Sequence, residues 1–186
     1  MEGPIRAFPL SAAAVALLAS APASATDITI GSSLAHACYL SSFRAIPSKF
    51  AVRECDRALE DELLTDNDRV ATIVNRGIVK MSLGDFHGAD YDFKTAIRMN
   101  AGEPEALLNM GLLRLRQNRL EEAIGYFGRS IDANTLRPAL AHYVRGISQE
   151  QLGNVRGAYA DLVRARELDP KWPLPAEELT RYHVRQ

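Results

Sequence analysis

Three stretches of the chain carry the same spaced set of small and apolar residues. The anchors are Gly77, Ala89, Phe93 and Ala96; then Gly111, Ala123, Phe127 and Ser130; then Gly146, Ala158, Leu162 and Ala165. Within each set the intervals are 12, 4 and 3 residues, and successive sets are offset by 34 and 35 residues. A helix-turn-helix unit of this length cannot bury its own apolar face and must stack on copies of itself, so the period implies a solenoid. Turn signals support the division. Gly84-Asp85, Asn118 and Gly153-Asn154 occupy one slot between paired helices, where glycine or asparagine closes a helix in the left-handed conformation. Phe86, Leu120 and Val155, each three places before the alanine, are positioned to staple that turn to the helix it opens.

The conserved spacing has a steric reading. Gly77, Gly111 and Gly146 are expected where the first helix of a unit meets the second. Ala89, Ala123 and Ala158 would face them, and Phe93, Phe127 and Leu162 would fill the groove one turn later. A glycine inside a helix costs about 0.5–1 kcal/mol relative to alanine, so three in one register signal close packing.

The 186 residues include 22 basic and 23 acidic side chains, a net charge of −1. That balance gives no electrostatic reason to expect nucleic acid or an anionic membrane as partner. Residues 1–25 differ from the rest: Arg6 precedes an alanine-rich apolar run from Ala7 to Ala19, then Ala21-Pro22-Ala23-Ser24-Ala25. This is the pattern of a secretory signal peptide cleaved near Ala25. The run falls short of the roughly 18 residues that span a bilayer, so no stable membrane insertion is expected after cleavage; an uncleaved anchor is the alternative. The mature protein would be periplasmic or secreted.

Both cysteines, Cys38 and Cys55, follow that segment. An even count in an exported protein favours a disulfide. Two buried reduced thiols remain an alternative. So does a zinc site involving His36, although the long gap between the cysteines offers no second close pair. The histidines, His36, His87, His142 and His183, are dispersed, and no G-x-S-x-G, P-loop or G-x-G-x-x-G motif occurs. No catalytic, cofactor-binding or metal-ligating residue is assigned, and the chain reads as non-enzymatic. A small enzyme or ligand carrier assembled from scattered residues is the alternative.

Aligned on the glycines, the units run 70–103, 104–137 and 139–172. They resemble the tetratricopeptide repeat family, whose pattern is W-x2-L-G-x2-Y followed by Ala, Phe and Pro. The matching positions are Ile73, Arg76, Gly77, Lys80, Ala89, Phe93 and Ala101; Leu107, Met110, Gly111, Arg114, Ala123, Phe127 and Thr135; and His142, Arg145, Gly146, Gln149, Ala158, Leu162 and Pro170. The small-residue, Ala and Phe/Leu slots are kept, the Trp and Tyr slots are not, and the proline appears only in the last unit. The resemblance implies an all-α, right-handed superhelical α-solenoid of helix-turn-helix repeats. Upstream, Ala51, Cys55 and Ala58 repeat the 4 and 3 spacings at an offset of 38. Residues 26–69 therefore read as an N-terminal helical cap containing a degenerate repeat, with Leu34–Arg44 as first helix and Thr65-Asp66-Asn67-Asp68 as a polar linker that takes up four extra residues. In the family the slots of Cys38 and Cys55 face each other across the helix pair, which implies a Cys38–Cys55 bond clipping the cap. Residues 173–186 are expected to form a C-terminal capping helix, with Ala176 to Val184 helical and Trp172 burying the end of the stack.

The resemblance also implies a concave partner-binding face made by the first helices. Its inward positions carry Ala71, Val74, Ile78 and Met81; Glu105, Leu108, Leu112 and Leu115; and Leu140, Tyr143, Ile147 and Glu150. Asn75 and Asn109 occupy a neighbouring slot suited to hydrogen-bonding a peptide backbone. The mainly apolar stripe points to an apolar peptide or helix of a protein partner, with intramolecular core as the competing explanation. The family implies a protein-interaction scaffold of the bacterial periplasm without a cofactor, or an accessory subunit of an envelope complex.

Overall fold

The computed structural model describes residues 5–7, 33–44 and 48–184. Among them are nine helices: α1 (Leu34–Phe43), α2 (Lys49–Asp61), α3 (Asp66–Ser82), α4 (Phe86–Met99), α5 (Pro104–Arg116), α6 (Leu120–Asp132), α7 (Pro138–Gln151), α8 (Val155–Leu168) and α9 (Pro173–Leu179). Two three-residue strands, β1 (Ile5–Ala7) and β2 (Tyr182–Val184), pair antiparallel with Ala7 opposite Tyr182. Each second helix packs on its own first helix and on the first helix of the following pair, so the chain is an all-α helical repeat solenoid. Apart from residues 5–7, the expected signal peptide and its cleavage point near Ala25 lie outside the described residues.

Local chemistry sets the helix ends. Ser33, Ser48, Thr65, Asp85 and Asn154 accept hydrogen bonds from backbone N–H groups of the helices they open, satisfying donors with no partner inside the first turn. Pro104, Pro138 and Pro173 occupy first helical turns, where a missing N–H costs nothing. Gly84, Asn118 and Gly153 have φ of 80°, 57° and 80°, the left-handed turns expected between paired helices. Of the three staple positions, Leu120 is buried and Val155 packs against the core, but Phe86 stays 38% exposed.

One continuous core runs along the stack, with Ala89, Phe93, Ala123, Phe127, Ala158 and Leu162 all fully buried. The Phe93 and Phe127 rings lie directly over Gly77 and Gly111. In the third unit the backbone carbonyl of Ala158 comes closest to Gly146, because Leu162 brings no ring to that crossing.

Cys38 and Cys55 are bonded to each other, fully buried, with Cα atoms 4.8 Å apart, and join α1 to α2. Two expectations need correction. The four extra residues between cap and first unit are not a linker: Asp66, Asn67 and Asp68 are helical behind the Thr65 cap, and α3 has 17 residues where α5 has 13. Asp66 and Asp68 stand at the helix N-terminus, where the helix dipole favours negative charge. The C-terminal helix also ends at Leu179, short of Val184. Arg181 turns the chain there, its guanidinium held by both Glu150 carboxylate oxygens at 2.7 and 2.8 Å.

Candidate functional site

The first helices α3, α5 and α7 stand side by side and carry the residues expected to face inward. Val74, Ile78, Leu108, Asn109, Tyr143 and Ile147 are at most 1% exposed, and Asn75, Met81 and Leu112 at most 4%. Leu115 is half-buried and packs against the same core. The stripe is therefore a closed layer continuous with the core, not an open face. Helix α5 is buried over ten consecutive residues, Glu105 to Arg114. The two asparagines are engaged: Asn75 Oδ1 accepts from Ser42 Oγ at 2.8 Å, and Asn109 Nδ2 donates to the Glu105 carbonyl at 2.8 Å.

A polar feature interrupts this layer. Glu105, on the first turn of α5, is fully buried. Its Oε1 accepts from Thr135 Oγ1 at 2.6 Å and from the Leu136 N–H at 2.9 Å, closing the turn between α6 and α7. Its Oε2 is buried without a hydrogen-bond partner. Burial pushes the Glu105 carboxyl above its ordinary value, against the two hydrogen bonds and the nearby Arg137.

Two charge clusters lie between the helices of the first and third units. Asp92 on α4 receives Arg76 Nε and Nη2 at 3.0 and 2.7 Å and Lys80 Nζ at 2.8 Å. Arg76 also reaches Asp56 on α2 at 2.8 Å, tying the cap to the first unit. On α8, Asp161 receives Arg145 Nε and Nη2, both at 2.7 Å, with His142 Nδ1 at 2.8 Å and Gln149 Nε2 at 3.1 Å. Burial raises the Asp161 carboxyl, but Arg145 and His142 outweigh it and hold it below its ordinary value. The second unit has Met110 and Tyr126 at these positions. The sequence carried a usable signal: Arg-x15-Asp occurs at 76/92 and again at 145/161.

These clusters are satisfied ion pairs. The Asp161 oxygens are occupied by an arginine fork, and His142 directs Nδ1 at the carboxylate. Among the described residues no group of three metal-binding side chains occurs. A concavity of about 590 Å³ opens at the C-terminal end, lined by Leu136, Arg137, Leu140, Leu168, Trp172 and Pro173. Trp172 also packs against Tyr143, the rings tilted by 58° with centroids 4.8 Å apart, so it closes the core on one side and walls this groove on the other. Among the described residues no helix is long and apolar enough to cross a membrane.

Comparison with known proteins points one way. A tetratricopeptide repeat family model matches residues 74–138 and again 108–173. Cellulose synthase operon protein C of Xanthomonas axonopodis pv. citri (strain 306) is 31% identical over 115 residues, covering 60% of this chain. The chain spans only 7% of that relative's length. Among solved structures, PilF of Pseudomonas aeruginosa superposes with a TM-score of 0.67 at 19% identity, over 78% of this chain and 64% of that one. PilW, a type IV pilus biogenesis factor, gives 0.61 at 19% identity, over 80% and 66%. MamA gives 0.59 at 21% identity, over 69% and 72%. At these identities the structural likeness concerns the fold.

Proposed function

The chain belongs to the tetratricopeptide repeat family, and from that premise we propose that it is a non-catalytic protein-interaction scaffold working in a bacterial cell envelope. Its partner is a protein that offers an apolar helix or peptide at the margin of the layer formed by the first helices. Leu115 is half-buried there, whereas Val74, Asn75, Ile78, Met81, Leu108, Asn109, Leu112, Tyr143 and Ile147 are covered by the protein's own helices. The observation that carries this reading is the repeat array itself, with three successive first helices side by side and a family model matching residues 74–138 and 108–173. Stacked helix pairs of this kind present one extended surface along the first helices, and Leu115 lies half-buried at the edge of their apolar layer. The bonded cysteine pair and the leader-like first 25 residues support an exported location. The similarity to an operon protein of cellulose synthesis and to a pilus biogenesis factor favours a second reading, that the scaffold is an accessory subunit of an envelope assembly.

A photo-crosslinking residue at Leu115, on the margin of the layer, tests the proposal. It should join the chain to one partner through an apolar peptide identified by mass spectrometry, while the same residue at the exposed Leu63 should not. Crosslinks at Leu115 confined to the protein's own chain would overturn it.

A further inference from the structure

Of the large apolar side chains among the described residues, Leu63 is the most exposed and stands wholly in water. Its place is built. The Glu62 carboxylate caps the Leu34 and Ala35 N–H groups at 2.7 and 3.1 Å, and the Leu64 N–H donates to the Glu62 carbonyl at 3.0 Å. These bonds close a tight turn between α2 and α3 with Leu63 at its apex. The flanks are acidic: from Ala58 to Asp68 there are five carboxylates and no Lys or Arg. Glu60, Asp61 and Asp66 are exposed. Arg57 and Arg69 bound this run, the first 3.6 Å from Asp61 and the second donating to the Leu59 carbonyl.

The groove beside Trp172 has the converse chemistry. It holds about 590 Å³, a size at which protein sites bury a ligand. Leu136, Leu140, Leu168 and Trp172 give it apolar walls, and Leu136 is 60% exposed. Arg137 and Lys171 bring positive charge to its lining. The carboxylate of that lining, Asp169, accepts from the Lys171 N–H at 3.2 Å. A leucine set among carboxylates is the complement of such a groove.

Both features lie on one edge of the stack. Connections between the described helices are short, so neighbours run antiparallel and the turns joining one pair to the next fall on the same edge. Leu63 belongs to the α2–α3 turn, and the groove spans the α6–α7 and α8–α9 turns. Two copies placed edge to edge about a two-fold axis bring each acidic turn toward the other's groove, an isologous contact that closes on itself.

We propose that the chain pairs with a second copy of itself, Leu63 of each entering the groove walled by Trp172 of the other, with the carboxylates around Leu63 against Arg137 and Lys171. This contact is separate from Leu115 and does not rest on the scaffold reading.

Sedimentation velocity on the intact protein over a concentration series reads the pairing. Trp172, the sole tryptophan, reads the groove, and its emission should move to shorter wavelength as the dimer forms. Leu63→Ser should weaken dimerisation at least about tenfold, since burying one leucine is worth that much, and should hold the emission at its dilute value. Asp61→Lys and Lys171→Glu should each weaken pairing, and the chain carrying both should regain it. Leu152→Ser, at an exposed leucine in the α7–α8 turn of the opposite edge, should change nothing. Thermal melts of the dilute, monomeric proteins should coincide, which separates lost pairing from lost fold. A photo-crosslinking residue at Leu63 should join two copies of this chain at the Trp172 groove. A monomer at every concentration would overturn the proposal. So would a dimer indifferent to Leu63→Ser or weakened equally by Leu152→Ser, or crosslinks from Leu63 to a different protein in place of a second copy.

Discussion

The ring of Phe93 lies so close over Gly77 that a methyl group on that glycine would stand 2.5 Å from Cε1 of the ring. The helices of the first unit cross at this point, and Phe127 over Gly111 repeats the arrangement. Alanine should raise helix propensity by about 0.5–1 kcal/mol but force a buried ring aside, an overpacking cost of about 1–3 kcal/mol. Gly77→Ala and Gly111→Ala should therefore lower the melting temperature. Phe93→Leu should restore part of the loss in Gly77→Ala, since Leu162 fills the equivalent place over Gly146. Additive effects in a double-mutant cycle would show that the ring is not the obstacle.

The bond between Cys38 and Cys55 closes a loop with a sequence separation of 17 within the α1–α2 pair. Its contribution should be roughly 3 kcal/mol through restriction of the unfolded chain. Reductant should lower the melting temperature of the wild type, and Cys38→Ala/Cys55→Ala should melt at about the reduced value and be insensitive to reductant. Calorimetry with and without reductant measures both.

Asp161 holds Arg145, His142 and Gln149 together, and Asp161→Asn should cost about 3 kcal/mol at neutral pH by leaving the arginine without its counter-charge. The Asp161 carboxyl is held below its ordinary 3.8. Its contribution is thus present above that value and is lost as pH falls through the lowered folded value. The stability difference between wild type and Asp161→Asn should narrow in acid, as followed by denaturant melts at stepped pH. A gap constant with pH would contradict the assignment.

Glu105 has the opposite sign. Burial raises its carboxyl above the ordinary 4.5, so the stability it contributes is full below that value and declines as pH rises through the folded value. Glu105→Gln, which still accepts from Thr135 and Leu136, should equal or exceed wild-type stability at pH 7 and lose this part of the pH dependence. Glu105→Ala should be less stable than either, because it leaves the Thr135 hydroxyl and the Leu136 N–H without an acceptor. Thermal melts of the three proteins at stepped pH decide it.

The packing register was legible because steric need leaves few choices: little besides glycine fits beneath Phe93, and Gly84, Asn118 and Gly153 suit left-handed turns. The same register led backwards to the cysteine pair. What could not be read was which side of a helix is covered. Val74, Leu108 and Tyr143 sit at inward positions, but periodicity reports an apolar face without saying what closes it. The Arg76–Asp92 and Arg145–Asp161 pairs were hidden for another reason. Matching against the Leu slot of the family registers each arginine as a mismatch, and the acid that explains it lies 16 residues on, across the helix pair. The end of α9 had no sequence breaker, since Arg181 leaves the helix for Glu150, a partner 31 residues earlier.

A linear stack loses its ends first, because each end unit rests on a single neighbour. The Cys38–Cys55 bond fastens one of the described helix pairs covalently. Opening of the described units is therefore uneven: the α1–α2 pair cannot part its helices while the bond holds, whereas the other pairs carry no such tie. A machine that threads this protein as a single extended strand would have to pass the α1–α2 pair as a covalent loop until a reductant cut it.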